Sequence, residues 1–420
     1  MKKILINLSI GIILLSNSLV GKTADPRVTL EKPKGNPQVV VHFYQVRVLI
    51  QPPNLEGIVF QRELNDPNFE AMISTISSRL ESVHKVLHRV ADSLRLSEWW
   101  RFQLYLQAAK SIEVNDERVS HVLLALLEKT PFNATLVQES TNQKNIRSLA
   151  LAIKEKLFFA SNLEYMNSYF YLIDIKSGKF HTLSSTQVEM LPISQEKMNR
   201  KRPMDLRVTD MPDFGGATIK KEWIWRSGGK LYALKGEISQ LKMAFYAAYP
   251  QRDLPTYFDM IFGESLFSLA DSLASIIQKE KKSSIEALQF LHDFVTYALP
   301  YKEDKATERG EHCSFAEETL FDEYSDCEDR TILLALLYKK ILKIRPIILE
   351  YKDHVSLAIP ISKADLEQFT IAKEKNNKMT LLKFESKDYL PIDPSFFNST
   401  IGEINPLFSK RKTERIFFVP

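Results

Sequence analysis

The sequence predicts an α+β protein, and three observations support this fold class. Apolar residues recur at spacings of three and four over residues 69–94, which indicates a long amphipathic helix. Residues 38–51 alternate and are rich in Val, a pattern typical of one long strand or a strand pair. Around Trp223 and Trp225, short apolar runs are bounded by turn residues such as Gly228 and Gly229, which predicts antiparallel strands.

The composition limits the classes of protein to which the chain can belong. It has 420 residues, enough for two or three domains. Hydrophobic residues make up 44% and charged residues 26%, which is typical of a folded globular protein rather than a disordered one. The formal net charge is only +4, and the basic residues are scattered among acidic ones. We therefore expect no nucleic-acid partner.

The N-terminus is typical of a secretory signal peptide. Lys2 and Lys3 precede a mostly apolar run over residues 4–15, and small residues follow it near plausible cleavage points. The alternative is an uncleaved anchor, but polar residues such as Asn7 and Ser9 interrupt the run, which is short for a membrane span. We predict a signal peptide over residues 1–21, an exported protein that is periplasmic or secreted, and no stable membrane span after cleavage.

The remaining elements divide the chain into four predicted parts. The first is an N-terminal α+β domain (25–190), with helices at 69–94, 96–111 and 118–129 and strands at 134–138 and 169–175. A segment rich in Pro, Met and charge (191–213) is the predicted linker, and a small antiparallel β module (214–256) follows it. In the C-terminal part (257–420), Pro300 ends a helical region, an apolar helix covers 331–342, and strands are expected at 346–351, 355–361 and 389–393.

Two stretches of the sequence resemble each other at an offset of 210 residues. Asn115-Asp116-Glu117-Arg118 precedes a Leu-rich helical run, and Ser325-Asp326-Cys327-Glu328 precedes a similar one. Leu-Ala runs are common in helices, so chance similarity is one explanation. Ancestral duplication is the other, and in that case the N-terminal copy has Glu117 at the position of Cys327 and is a degenerate copy.

Cys327 is the strongest candidate for a chemically active side chain. A thiol at a helix N-terminus is exposed to the positive end of the helix dipole, which favours the nucleophilic thiolate. The acidic neighbours Asp326, Glu328 and Asp329 oppose thiolate formation, and we interpret Asp326 as the helix N-cap and Asp329 as a first-turn charge. His354 and Asp393 follow in the chain order of a Cys–His–Asp triad, although each alone is typical of a structural residue.

The other Cys and His residues give weaker indications. Cys313 lies 14 residues before Cys327, so a local disulfide is possible, but a chain of this size rarely needs one and we expect Cys327 to be free. His84 and His88 have a spacing that can bind metal but lack a third ligand, and His312 and Cys313 lack a second cysteine pair. The sequence therefore predicts no metal site and no cofactor.

The motifs around these residues resemble the transglutaminase-like superfamily of papain-type cysteine enzymes. The resemblance covers residues 285–398, and one departure is Ser325 where bacterial members often have Gly. The matching motifs are Ser325-Asp326-Cys327-Glu328-Asp329, His354-Val355-Ser356-Leu357-Ala358 and Asp393-Pro394. The resemblance implies an α+β core in which the cysteine helix packs against an antiparallel sheet that carries the histidine and the aspartate.

The resemblance also implies roles for individual residues. Cys327 is expected to be the nucleophile, His354 the base and Asp393 the residue that orients the imidazole. Tyr301 is a candidate oxyanion donor, together with the backbone N–H of Cys327. The expected activity is acyl transfer or hydrolysis at peptide or isopeptide amides of a peptide or protein substrate. The alternative is a non-catalytic binding or scaffolding module, and the sequence leaves the oligomeric state open.

Overall fold

Two antiparallel sheets, each of five strands, organise the part of the chain that the structure describes. The structure is a computed structural model, and the mixed α+β class expected from the sequence is confirmed. The predicted signal peptide at residues 1–21 lies outside the described residues. These are residues 38–61, 63–140, 145–158, 160–183, 188–208, 210–212, 216–259, 263–304, 312–362, 366–367, 380–403, 405–408 and 410–420.

The N-terminal region starts with a β-hairpin and continues as a layer of helices. Its elements are β1 (Val39–Phe43), β2 (Val46–Ile50), α1 (Phe69–Arg79), α2 (Glu81–Ser93), α3 (Glu98–Ile112) and α4 (Asp116–Leu127). The expected single helix over 69–94 is divided at Leu80, where φ is −89° and ψ is 6°. Apolar periodicity did not reveal this break, because Ile76, Leu80 and Val83 are all buried on its two sides. Asn115 caps α4 by accepting a hydrogen bond from the backbone amide of Glu117 at 3.0 Å.

The first five-stranded sheet follows α4. Its strands are β3 (Ala134–Ser140), β4 (Asn145–Ala152), β5 (Asn162–Tyr165), β6 (Ser168–Ile173) and β7 (Val188–Met190), in the order β5-β6-β4-β3-β7. β3 and β6 confirm the strands expected at 134–138 and 169–175, and α4 packs against β3 and β4. The segment predicted as a linker contains the short helix α5 (Gln195–Arg200). Beyond α5, Arg202 and Met204 form isolated bridges to Phe132 and Ile153, so this segment packs along the first sheet.

A long hairpin occupies the segment predicted as a small β module. It consists of β8 (Thr218–Ser227) and β9 (Lys230–Ser239), and the helix α6 (Gln240–Ala247) follows within the same segment. The turn needs Gly228 and Gly229, whose φ angles are 55° and 80°. Trp223 is buried, and its indole N–H donates a hydrogen bond to the backbone oxygen of Leu320 at 3.0 Å. This contact fastens the hairpin to the C-terminal part of the chain.

The C-terminal part places four helices before the second sheet among the described residues. The helices are α7 (Glu264–Lys279), α8 (Ser284–Ala298), α9 (Ala316–Phe321) and α10 (Cys327–Leu337), and the strands are β10 (Ile347–Tyr351), β11 (His354–Pro360), β12 (Leu382–Phe384), β13 (Lys387–Ile392) and β14 (Arg415–Phe418). The strands expected at 346–351, 355–361 and 389–393 are confirmed as β10, β11 and β13. Every residue from Asp329 to Leu337 is buried, because α10 packs against both α8 and β11. A helix that is apolar on all sides requires such an enclosed position.

The two sheets have the same topology. The second sheet has the order β12-β13-β11-β10-β14, which corresponds strand for strand to β5-β6-β4-β3-β7. A buried helix precedes each sheet, and with the offset of 210 residues the first residues of α4 and α10 differ by one position. The local sequence similarity therefore extends to the arrangement of a helix and five strands.

Candidate functional site

Cys327 is the first residue of α10, and the chain before it is held in place by backbone contacts. Ser325 forms a parallel bridge with Tyr301. The amide of Ser325 donates a hydrogen bond to the backbone oxygen of Pro300 at 3.0 Å. The amide of Lys302 donates one to the backbone oxygen of Ser325 at 3.1 Å. Because this short ladder ends two residues before Cys327, the thiol is presented from a fixed position at the helix N-terminus.

The second sheet brings His354 and Asp393 together. His354 begins β11, Asp393 directly follows β13, and these strands are neighbours with Leu357 opposite Ile392. Nε2 of His354 lies 2.9 Å from Oδ2 of Asp393, and both side chains are buried. The imidazole also stacks on Phe408, with ring centroids 4.0 Å apart and planes at 11°. Since Asp393 engages Nε2, Nδ1 is the ring nitrogen left to exchange a proton with a thiol.

Contacts between α10 and the start of β11 bring the thiol to this pair. The backbone amide of Val355, the residue after His354, is close enough to the sulfur of Cys327 to lower the pKa of the thiol. One turn further along α10, Oγ1 of Thr331 donates a hydrogen bond to the backbone oxygen of Val355 at 3.1 Å. The N-terminus of α10, which carries Cys327, therefore lies beside the start of β11, which carries His354.

The resting charge state of the thiol is set by its acidic neighbours. Sγ of Cys327 donates a hydrogen bond to Oε2 of Glu328 at 3.0 Å. Burial, followed by the charges of Glu328 and Asp326, raises the pKa of the Cys327 thiol well above its ordinary value. The opposition to thiolate formation expected from the acidic neighbours thus outweighs the helix dipole, and the thiol is protonated at rest.

Asp326 and Asp329 are buried beside the thiol. Oδ2 of Asp329 accepts a hydrogen bond from the amide of Asp326 at 3.4 Å, and Oδ1 accepts one from the amide of Ser314 at 2.7 Å. Burial, followed by Asp329 and Glu328, raises the pKa of Asp326 to about 11. Burial and Glu328 also raise the pKa of Asp329. Asp329 thus has a structural role that extends beyond α10 to the loop at Ser314.

Arg330 connects the separate parts of the site, which the sequence did not indicate. Its side chain is fully buried, with Nε donating a hydrogen bond to Oγ of Ser325 at 3.1 Å and Nη1 to the backbone oxygen of Pro394 at 3.1 Å. Nη2 donates to the backbone oxygen of Leu299. One guanidinium group thereby fixes the chain before Cys327, the chain after Asp393 and the chain before Tyr301. In sequence alone, Arg330 is indistinguishable from a solvated first-turn arginine.

Tyr301, the candidate oxyanion donor, lies next to Arg330 and near enough to Cys327 for the thiol to affect its pKa. The guanidinium of Arg330 is 5.0 Å from the centroid of its ring. Burial and the nearby Cys327 and Asp326 raise the pKa of Tyr301, so its hydroxyl keeps its proton and can donate a hydrogen bond.

Helix α8 supports the strand end that carries Asp393. Oγ1 of Thr296 donates a hydrogen bond to the backbone oxygen of Pro394 at 3.1 Å, and Nε2 of His292 lies 3.3 Å from the backbone oxygen of Asp393. The sequence assigned α8 to the resembling region but did not single out either residue. Buried polar residues on an otherwise apolar helix were the available signal.

The two cysteines do not form a disulfide, as expected. Both Cys313 and Cys327 are free. Burial and the nearby acidic groups raise the pKa of Cys313 well above its ordinary value, so this thiol is also protonated. Of the residues considered as metal ligands, His88 instead contacts Asp92, with 2.8 Å between Nδ1 and Oδ2.

The N-terminal sheet has different side chains at the corresponding positions. Oε1 of Glu117, which aligns with Cys327, is 3.1 Å from Nη1 of Arg147 on β4. The pair Leu149 and Ile173 on β4 and β6 corresponds to the pair Leu357 and Ile392 on β11 and β13. With these pairs matched, Arg147 aligns with Val355 and Ile146 aligns with His354. An ion pair therefore occupies the place of the thiol, and neither a cysteine nor a histidine stands at the two central positions.

Comparisons with protein-family models, curated proteins and solved structures gave no match. Among the described residues, no helix has the length and apolar character needed to cross a membrane.

Proposed function

We propose that this chain is a transglutaminase-like cysteine enzyme that transfers or hydrolyses acyl groups at peptide or isopeptide amides. The hydrogen bond of 2.9 Å between His354 and Asp393, beside the thiol at the start of α10, carries the proposal. A buried histidine with one nitrogen on a carboxylate is oriented to use the other as a base. The nearness of the Val355 backbone amide to the Cys327 thiol supports a nucleophile at the same end of β11.

The proposed reaction starts from the neutral thiol. Nδ1 of His354 takes the Sγ proton, and the sulfur attacks the amide carbonyl to form a tetrahedral oxyanion. The backbone N–H of Cys327 and the hydroxyl of Tyr301 are the proposed donors to that oxyanion. Collapse breaks the C–N bond, His354 protonates the leaving amine, and a thioester remains on Cys327. Water, deprotonated by His354, then attacks the thioester and releases a carboxylic acid and the thiol.

The acidic groups beside Cys327 explain why proton transfer would be coupled to substrate binding. A carboxylate in contact with the thiol stabilises the S–H form, so the thiolate is costly without a substrate. A substrate that displaces Glu328 from the thiol removes this hydrogen bond and leaves His354 as the proton acceptor. The acidic surroundings also favour peptide substrates with basic rather than acidic groups near the reacting amide.

The proposal extends to the architecture and the location of the protein. The C-terminal part is the transglutaminase-like core, and the N-terminal α+β part is a degenerate copy of it that arose by duplication. The shared strand order of the two sheets supports this duplication. The basic and apolar N-terminal sequence supports export to the periplasm or out of the cell.

A non-catalytic binding or scaffolding module is the second candidate. The hydrogen bond from Cys327 to Glu328 favours it, because a thiol held on a carboxylate is a poor nucleophile. The N-terminal copy also shows that this arrangement of helix and sheet is compatible with an ion pair in place of a thiol. The two candidates differ in whether His354 influences the reactivity of Cys327.

Alkylation of Cys327 by iodoacetamide across pH distinguishes the two candidates. The experiment uses Cys313→Ser as the background, so that Cys327 is the single thiol. If His354 acts as the general base, Cys327 should be alkylated at pH values at which its thiol is protonated, and His354→Ala should slow this reaction. His42→Ala, which changes a histidine on β1, is the matched control and should leave the profile unchanged. Identical profiles with and without His354 would refute the catalytic proposal.

A further inference from the structure

Three consecutive side chains at the start of α10 converge on one point. Asp326, Cys327 and Glu328 each offer a donor atom, and these atoms all lie within 4.8 Å of one another. The sulfur of Cys327 and Oε2 of Glu328 are 3.0 Å apart. Donor atoms bound to one zinc ion at about 2.0–2.3 Å are necessarily this close to each other.

One of these carboxyl groups has an oxygen without a partner. The Asp326 side chain is only 6% exposed, and its Oδ1 is buried without a hydrogen-bond partner among the described residues. A buried polar atom left in this state destabilises the folded protein. The guanidinium of Arg330, which Asp326 affects electrostatically, makes its hydrogen bonds to Ser325, Pro394 and Leu299 rather than to this oxygen. A bound cation would satisfy this oxygen.

The chemistry of the donors selects the class of cation. Ca²⁺ and Mg²⁺ prefer sites made of oxygen alone, whereas a thiolate with carboxylates suits a thiophilic ion such as Zn²⁺. Three protein donors also leave a fourth tetrahedral position open, as in zinc sites that bind water or another ligand. The sequence did not predict this site, because Asp-Cys-Glu has none of the spacings of known zinc motifs.

We propose that Asp326, Cys327 and Glu328 bind one divalent cation of the Zn²⁺ class. Binding breaks the S–H bond of Cys327 and the O–H bond of the Asp326 carboxyl, releases both protons to solvent and forms metal–sulfur and metal–oxygen bonds. The regulatory part of this inference rests on the proposed function: the metal occupies the electron pair that would attack the amide, so the ion is a reversible inhibitor of acyl transfer.

Titration of the full chain with Co²⁺ tests the binding site directly. Co²⁺ bound to a thiolate gives a sulfur-to-metal charge-transfer absorption, and Zn²⁺ should abolish this band by displacing the cobalt. Cys313→Ser should keep the band and Cys327→Ser should lose it. Glu328→Gln should weaken Co²⁺ binding by at least the roughly tenfold that loss of an outer-sphere partner costs. Circular dichroism of each variant shows whether it is folded.

Two results would overturn the site. One is the absence of a charge-transfer band in the folded wild-type chain, and the other is a band that persists in Cys327→Ser. Alkylation of metal-free protein, prepared with a chelator, separates this inference from the proposed function. A band that depends on Cys327, together with alkylation that does not depend on His354, would support the metal site and refute the enzyme. Alkylation that depends on His354, without a charge-transfer band, would support the enzyme and refute the metal site.

Discussion

Replacement of Glu328 by Gln should convert Cys327 into a more acidic thiol. In the wild-type chain the thiol donates a hydrogen bond to Oε2 of Glu328 at 3.0 Å. A carboxylate at that distance stabilises S–H and repels S⁻, whereas a neutral amide does not repel it. The pKa of Cys327 should therefore fall, and its reaction with iodoacetamide at neutral pH should accelerate.

The distance sets the size of the effect. Two unit charges 3.0 Å apart interact by about 1.4 kcal/mol in water and by about 5.5 kcal/mol at an effective dielectric constant of 20. At 1.36 kcal/mol per unit, these values correspond to a pKa decrease of about one to four units. Because Cys327 and Glu328 are both partly exposed, we expect the lower half of this range.

The assay is the pH profile of alkylation in the Cys313→Ser background. Glu323→Gln is the matched control, because it removes an exposed carboxylate four residues from Cys327 in the same part of the chain. The control should shift the profile by much less than Glu328→Gln. An unchanged or increased pKa of Cys327 in Glu328→Gln would refute the reasoning.

Three further predictions concern the supporting residues. Asp393→Asn keeps a hydrogen-bonding partner for His354 but removes the negative charge of the partner. The kcat on an amide substrate should therefore fall by about 10²–10⁴-fold, while the circular dichroism spectrum stays unchanged. A normal kcat would contradict the triad. Arg330→Lys leaves some of the three acceptors of the buried guanidinium unpaired. The free energy of unfolding measured in urea should therefore fall by about 3 kcal/mol. The control Arg226→Lys, at an exposed position, should lower it by at most about 0.5 kcal/mol. The folded state holds the Asp326 proton up to about pH 11, whereas the unfolded chain loses it at about pH 4. The free energy of unfolding should therefore fall between about pH 4 and about pH 11, by up to about 1.4 kcal/mol per pH unit. Asp326→Asn should flatten this decline, and an identical slope would show that Asp326 does not cause it.

The sequence predicted the elements of the site better than their surroundings. Cys327 at a helix start, His354 at a strand start and Asp393 at a strand end all follow from local patterns, and the structure has each element there. Their proximity depends on sheet order, which periodicity does not encode. The resemblance to a known superfamily implied only that one antiparallel sheet carries both residues, and β11 and β13 are antiparallel neighbours.

The parts that the sequence did not predict depend on long-range contacts. The strands β12 and β14 were missed because Leu382–Phe384 and Arg415–Phe418 are too short to show alternation. The role of Arg330 was missed because its acceptors, Leu299 and Pro394, lie 31 and 64 residues away. The acidic neighbours predicted the direction in which the pKa of the thiol shifts. They did not predict the size of the shift, because burial is its largest cause and a sequence does not report burial.

The two halves of the chain share a strand-end aspartate but differ in the partners of its side chain. Asp174 and Asp393 both directly follow the equivalent strands β6 and β13, and Oδ1 of each accepts a hydrogen bond from the amide two residues later. They differ at Oδ2, which accepts a hydrogen bond from the amide of Ser177 in the first half but contacts His354 in the second.

The aspartate is thus a turn residue in both halves, and only the second half adds a histidine to it. The pattern repeats on the helix, where Glu117 pairs with Arg147, whereas Cys327 donates a hydrogen bond to the adjacent Glu328. At these two positions the first half has an ion pair and a closed turn, which give the buried polar groups there direct partners. The second half leaves Oδ1 of Asp326 unsatisfied and places three acids beside a thiol, a departure expected where function rather than stability selects the residues.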